Sequence, residues 1–195
     1  MSDVAAIVLA AGRGTRFGRE PKLLARLGGK PLARRVVEAA ADSIADPVIV
    51  VTGHRADEIE ASLQGLAVHI VHNASFAEGL STSLKAGFAA LPEKVKAAVV
   101  LLGDMPLIEA DLINGLVNGW REMGQPAALV PTLNGKRGNP VVLSRELESM
   151  VNGLSGDAGA GPGLRGRNGV VEWPTTDPAI LQDIDTPDEI GKFEL

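Results

Sequence analysis

The stretch VAAIVLAAGRGTRFGREPKLL, residues 4–24, decides the fold. Its first part, Val4 to Ala10, is an unbroken apolar run, which reads as a β-strand covered on both faces. Glycines follow at once, at 12, 14 and 18. A glycine-rich loop after a strand can wrap backbone N–H groups around phosphate oxygens. Arg13, Arg16 and Lys22 add cations to the same loop. The stretch therefore predicts an α/β chain with a polyphosphate cradle after its first strand, a nucleoside triphosphate being the expected ligand. The alternative is a tight strand-to-helix connection with solvent-exposed arginines.

Two familiar phosphate loops do not fit. The dinucleotide fingerprint G-x-G-x-x-G is met by Gly12 and Gly14, but the next glycine, Gly18, comes one residue late. No acidic residue ends the second strand to hold a ribose, since Thr52-Gly53-His54 stands there. The P-loop pattern G-x-x-x-x-G-K-[ST] does not occur. What remains is a loop that adds side-chain cations to backbone donors.

Working outward, apolar runs alternate with helical periodicity. Residues 31–44 predict a helix, with Pro31 in its first turn and Leu32, Val36, Val37 and Ala40 on one face. Residues 47–52 predict a second strand, 56–63 a short helix, 67–72 a third strand and 81–91 a helix. Residues 97–102 (AAVVLL) predict a fourth strand, 109–123 a helix, and 127–130 and 140–143 further strands. Such alternation predicts one doubly wound, mainly parallel sheet flanked by helices, a Rossmann-like architecture. Seven glycines between 153 and 169 are too many for a continuous helix. That segment reads as a mobile loop near the site with one helical turn.

Composition narrows the function. A chain of 195 residues suits one domain with a full core. Its net charge of -5 argues against nucleic acid or an anionic membrane as partner. No cysteine is present, which removes disulfides, thiolate catalysis and Cys-ligated metal. No signal peptide or span of about 20 apolar residues is seen, so a soluble cytoplasmic protein is expected.

Asp104, in Gly103-Asp104-Met105-Pro106, follows the fourth strand. Open α/β sheets bind ligands at the carboxyl ends of their strands. If that strand adjoins the first, about 5 Å away, Asp104 and the glycine loop share one crevice. A carboxylate facing a triphosphate calls for a cation between them, and Mg²⁺ is the natural choice. The alternative is a turn or cap aspartate before the 109–123 helix. Asp185, in the acidic run 183–189, offers a second ligand; its rival role is capping, which Thr186 before Pro187 serves better. His54, His69 and His72 lack an evident acid or nucleophile partner and read as structural, although His54 follows a strand on the ligand edge.

Together LAAGRGTRFGREPKLL (9–24), EGLSTSLKAG (78–87), LLGDMPLI (101–108) and DIDTPDE (183–189) resemble the nucleotidyltransferases that activate the molybdenum cofactor. GKRGNPVVL (135–143) looks like that family's substrate-side strand, with Asn139 where the family often has His. Gly161 stands where it usually has Arg. The resemblance implies a single nucleotidyltransferase domain over 1–195, its nucleotide-binding half about 1–106 and its acceptor-binding half after that. Leu9-Ala10-Ala11-Gly12 and Gly79-Leu80-Ser81-Thr82-Ser83 resemble the cytidylyl branch rather than the guanylyl branch.

The implied activity is CMP transfer from CTP to the terminal phosphate of molybdenum-bearing molybdopterin, with pyrophosphate released. By resemblance, Arg16, Lys22 and Asp104 carry catalysis, and Asp104 and Asp185 hold Mg²⁺. Leu9, Ala10, Ala11, Gly12, Arg13, Gly14, Thr15, Lys22, Gly79, Leu80 and Ser81 bind the nucleotide. The implied partners are CTP, the molybdopterin-type acceptor, and a molybdoenzyme or its chaperone. The rival readings are a guanylyl or sugar-phosphate nucleotidyltransferase of the same fold, or a carrier without transfer activity.

Overall fold

A computed structural model describes residues 2–14, 17 and 21–193. The chain runs β1 (Val4–Ala10), the small hairpin β2 (Arg26–Leu27) and β3 (Lys30–Pro31), α1 (Leu32–Ala41), β4 (Val48–Thr52), α2 (Ala56–Ser62), β5 (His69–His72) and α3 (Leu80–Ala89). It continues with β6 (Ala97–Leu102), α4 (Ala110–Glu122), β7 (Ala128–Leu133), β8 (Lys136–Arg137) and β9 (Val141–Ser144). Then come α5 (Glu148–Asn152), α6 (Ala160–Leu164), β10 (Val170–Pro174) and α7 (Pro187–Phe193).

The main sheet has the order β10-β7-β9-β6-β1-β4-β5, with β8 on β7. β1 lies between β4 and β6, parallel to both, with Leu9 opposite Leu102 and Ala10 opposite Thr52. The fold class is therefore as the sequence predicts, an α/β arrangement on a mainly parallel sheet flanked by helices. β9 is the exception, running antiparallel to both β6 and β7. Only residues 134–140 join β7 to β9, and β8 lies within them. That link has no room for the helical crossover a parallel return would need.

β1 shows why the strands are apolar throughout. Val4, Ala6, Val8 and Ala10 join a core with Val36, Val37, Ile113, Leu116 and Trp120, from α1 and α4. Ala5, Ile7 and Leu9 join the opposite core, with Leu84, Phe88, Val151 and Leu164 from α3, α5 and α6. Alternate side chains of one strand thus enter opposite layers. Each fully buried leucine or isoleucine contributes about 1.5–3 kcal/mol.

β5 departs from the expectation of a buried third strand. It is the sheet edge, and His69, Ile70 and His72 are exposed. β10 (VVEWP) was not expected; a short run between Gly169 and a proline carries little strand signal. Trp173 of β10 packs on α4 at Gly115 and Gly119, where side chains would crowd its ring.

The winding changes direction at β1. From β1 the chain moves outward to β4 and β5, then returns to place β6 on the other side of β1. The carboxyl ends of β1 and β6 therefore flank a switch point, where ligands of open α/β sheets bind.

Candidate active site

At this switch point lies a cleft of about 500 Å³, within the range of small-molecule sites. Residues from the end of β1 (Leu9, Ala11, Gly12, Arg13, Gly14) line it with Lys22 and Leu23. Phe76, Ala77, Gly79, Leu80, Ser83 and Asp157 form further parts of the wall, and Leu102, Gly103, Asp104, Asp183 and Asp185 complete it.

The glycine loop is shaped by close packing. Gly14 has a φ of +56°, and a Cβ there would lie 2.5 Å from Lys22 Cβ. Glycine thus permits both the left-handed backbone and the approach of the lysine. Lys22 sits in a 3-10 turn, where the Leu24 and Ala25 N–H groups donate to the Pro21 carbonyl. On the other side of the loop the His54 N–H donates to the Ala11 carbonyl at 3.2 Å. Gly53 leaves no room for a side chain between Ala11 and Phe76. The Arg13 guanidinium rests 5.5 Å from the Phe76 ring centroid, a cation–π contact. His54 packs on the same ring at 5.9 Å.

The carboxylates gather from distant segments. The Gly103 N–H donates to the Leu9 carbonyl at 3.0 Å, continuing the β1–β6 ladder up to Asp104. The Ile184 N–H donates to the Asp104 carbonyl at 2.9 Å. The fully buried Ile184 packs with Phe17, Leu27 and Leu32. Those contacts bring Asp183 and Asp185 to Asp104. Glu189 accepts from the Asp185 and Thr186 N–H groups at 2.7 and 3.0 Å. These backbone donors hold its carboxyl below the usual range. The α7 start is thereby capped by Glu189 reaching back, as in one half of a capping box. Asp185 is left to face the cleft.

Lys22 Nζ donates to Asp104 Oδ2 at 2.8 Å and to Asp185 Oδ1 at 2.6 Å. The lysine side chain is nearly enclosed, and the two carboxylates are about a quarter exposed. Burial disfavours the ammonium. The neighbouring Asp104 carboxylate, with Asp185, outweighs that cost and raises the Lys22 pKa above its ordinary value. α4 begins after Glu109, so Asp104 does not cap it.

Oxygens of Asp104, Asp183 and Asp185 lie within 4.8 Å of one another. Asp104 Oδ1 is enclosed and has no hydrogen-bond partner among the described residues. One lysine facing several carboxylates leaves net negative charge. Oxygen donors with an unpartnered buried acceptor fit a hard divalent ion such as Mg²⁺. Asp183 was not singled out from the sequence. Its i, i+2 spacing from Asp185, which sets two side chains on one side of an extended chain, was the available signal.

The structure thus brings Leu9, Ala11, Gly12, Arg13, Gly14, Lys22, Gly79, Leu80, Asp104 and Asp185 to one cleft. Ala10 is fully buried in the sheet. Ser81 is buried behind the wall: its N–H donates to the Gly156 carbonyl, and its Oγ has no partner among the described residues. Thr15 and Arg16 lie outside the described residues. Phe76 and Asp157 line the cleft without having been foreseen, and Ser83, the last residue of the 79–83 stretch, lines it too. His69 and His72 lie exposed on β5, away from the cleft lining.

The segment rich in glycine docks beside α3. Gly79 has a φ of +113°, and a Cβ on it would overlap the Gly156 carbonyl. This contact sets Asp157 on the cleft wall, with α6 as the one helical turn expected there.

Comparison with known proteins places this geometry. A family model described as "MobA-like NTP transferase domain" matches residues 6–170. The bifunctional protein GlmU of Legionella pneumophila (strain Lens) is 36% identical over 142 residues, 71% of this chain and 30% of GlmU. The chain thus spans under a third of the length of that curated relative. The crystal structure of a Mycobacterium tuberculosis Rv0371c homolog from Mycobacterium sp. strain JC1 superposes with a TM-score of 0.85. It is 30% identical, with 98% of this chain and 95% of that one covered. Molybdopterin-guanine dinucleotide biosynthesis protein A from Archaeoglobus fulgidus shares the fold at a TM-score of 0.75. It is 20% identical, with coverage of 97% and 96%.

Proposed function

The chain belongs to the MobA-like NTP transferase domain family, and from that premise we propose that it transfers CMP from CTP to the terminal phosphate of molybdenum-bearing molybdopterin, releasing pyrophosphate. The observation that carries the transferase part is the meeting of Lys22, Asp104 and Asp185 beside the glycine loop. A cradle for phosphates and a cluster of oxygen ligands for a divalent ion then share one crevice. The cytidylyl part is supported by Ala11 on the cleft wall, in a stretch that resembles the cytidylyl branch. The acceptor is supported by the resemblance alone.

In this reading, an oxygen of the acceptor phosphate attacks the α-phosphorus of CTP. The bond from that phosphorus to the bridging oxygen of the β-phosphate breaks, and the electron pair leaves with pyrophosphate. The acceptor is already anionic near neutral pH, so no strong general base is needed. Backbone N–H groups of Gly12, Arg13 and Gly14 hold the β- and γ-phosphates. Lys22 neutralises charge at the α-phosphate, and Arg16 at the departing pyrophosphate. Asp104, Asp183 and Asp185 would hold the divalent ion, which when bound supplies Lewis-acid neutralisation of the phosphates.

A second reading keeps the fold and changes the acceptor. The matched family description names an NTP transferase and no acceptor, so a sugar phosphate stands as the rival acceptor. The test is pyrophosphate release in Mg²⁺, with each of the four nucleoside triphosphates, offered molybdenum-bearing molybdopterin or a sugar 1-phosphate. Release with CTP and the molybdenum cofactor is expected. Turnover only with a sugar phosphate transfers the assignment to that class, and GTP preference transfers it to the guanylyl branch. Tight nucleotide binding with no turnover on any acceptor leaves the carrier reading in place.

A further inference from the structure

Arg35 stands on α1, apart from the cleft lining, and its guanidinium reaches two main-chain carbonyls. Its Nε donates to the Pro106 carbonyl at 3.4 Å and its Nη1 to the Leu27 carbonyl at 3.3 Å. Both bonds are partly buried, where a charged donor counts for more than it does in water. The neighbouring Arg34 pairs with Glu38 at 2.8 Å. Arg35 has no carboxylate partner among the described residues, so its donors are spent on the two carbonyls.

Those carbonyls belong to the two segments that present the carboxylates. Pro106 lies two residues beyond Asp104. On the near side of Asp104, the Gly103 N–H is held by the Leu9 carbonyl at 3.0 Å. On its far side, the buried Pro106 is held by Arg35. Leu27 belongs to the β2–β3 hairpin, and its side chain packs on Ile184, the residue between Asp183 and Asp185. Leu107, next to Pro106, packs on the same cluster. One planar guanidinium thus spans from the turn of Asp104 to the seat of Asp183 and Asp185. Its N–H bonds have a fixed angle, so they set how far apart the two segments lie. If the segments part, the flexible Lys22 side chain can follow one carboxylate, whereas an ion chelated by all three loses a ligand. We infer that Arg35 is a positioning residue that keeps Asp104 at chelating distance from Asp183 and Asp185. This deepens the proposed reading and rests on it only in taking the three carboxylates to hold a divalent ion.

The test is calorimetric binding of Mn²⁺, without nucleotide, to the full chain and its variants, with thermal melting of the same samples. It needs no acceptor and no turnover. Arg35→Met keeps the apolar stem and removes both bonds. It should bind Mn²⁺ about tenfold more weakly than wild type, the lower end of the scale for losing a group that orients metal ligands. Arg35→Lys keeps the charge, but one ammonium does not reproduce the fork, and this variant should also bind Mn²⁺ more weakly. Arg34→Met is the control. Arg34 ties α1 to the Ser62 and Gln64 carbonyls at 2.6 and 3.2 Å, so its loss should lower the melting temperature and leave Mn²⁺ affinity unchanged. A lower melting temperature in Arg35→Met with wild-type Mn²⁺ affinity overturns the inference and leaves a tie that serves stability alone. Wild-type affinity in Arg35→Lys overturns it as well, and that variant decides alone if Arg35→Met does not fold. Equal losses of Mn²⁺ affinity in Arg34→Met and Arg35→Met also overturn it, because they trace to a general loosening of α1. A wild type that binds Mn²⁺ no more tightly than Asp104→Ala refutes the carboxylate reading itself, and the inference with it.

Discussion

Lys22 is held by the same carboxylates that a divalent ion would use. Its ammonium lies 2.8 and 2.6 Å from Asp104 and Asp185, so a cation entering between them must displace it. Lys22→Ala should therefore bind Mn²⁺ more tightly than wild type in the absence of nucleotide, by about tenfold if one charged hydrogen bond is given up. The same variant, and Asp104→Ala, should lose about 10²–10³-fold in turnover, the scale of one removed charge stabiliser. A Lys22→Ala protein with weaker Mn²⁺ binding and near wild-type turnover would refute both roles.

The raised Lys22 pKa also fixes a pH dependence. Its folded value lies above the ordinary 10.5. The stabilisation is thus fully present below that value and is lost as pH rises through the folded value. Urea titrations from pH 8 to 12 should show wild type losing stability at the alkaline end, while Lys22→Met stays flat there. Parallel curves would place the ammonium's interaction elsewhere.

Residue types legible in the sequence were those whose chemistry is local: glycines after a strand, lysine in the loop, aspartate at a strand end. Asn73 was not legible in that way: its side-chain amide donates to two hydroxyls, Thr82 and Ser83, and no spacing rule encodes it.

Among the elements, the contact of α3 with the glycine-bearing segment offers the sharpest test. Gly79 combines a left-handed φ with backbone contact to Gly156. Gly79→Ala should cost about 1–3 kcal/mol through strain and clash. It should also raise the nucleotide KM, because Leu80, Ser83 and Asp157 line the same wall. Thermal melting should show a fall of about 2–10 °C for a chain of this size. Gly161→Ala serves as the control, since open space surrounds that position, and equal effects in the two would discount the contact.

Elements with long apolar or helical periods were placed from sequence to within a few residues, as with 97–102 for β6 and 109–123 for α4. The exposed edge β5 and the short β10 were poorly resolved for a shared reason. Strand burial is decided by neighbours, and neither run states which neighbours it will have.

At the scale of the molecule, the site is assembled from residues far apart in sequence. Lys22 and Asp185 are separated by 163 positions. Ile184 makes the join, buried between the glycine-loop residue Phe17 and the hairpin residue Leu27. Ile184→Ala should cost about 2–5 kcal/mol and should weaken Mn²⁺ binding as well, through Asp183 and Asp185. Denaturation and calorimetry on one sample would read both, and lost stability with unchanged metal affinity would uncouple the join from the site.

The mainly parallel α/β arrangement was legible, because alternation and apolar runs predict it, whereas the place of β6 beside β1 entered only as a condition. The convergence of Asp183 with Asp104 was not legible, because it follows from the backbone bond of Ile184 to Asp104.

That join also sets a timetable. Every strand of the main sheet among the described residues precedes Asp183 in the chain. During synthesis the ribosome therefore delivers the scaffold and glycine cradle before it delivers two of the three carboxylates. A nascent chain can shelter its apolar strands before the three aspartates can meet. On the proposed reading, transfer would then become possible only in the last stage of translation.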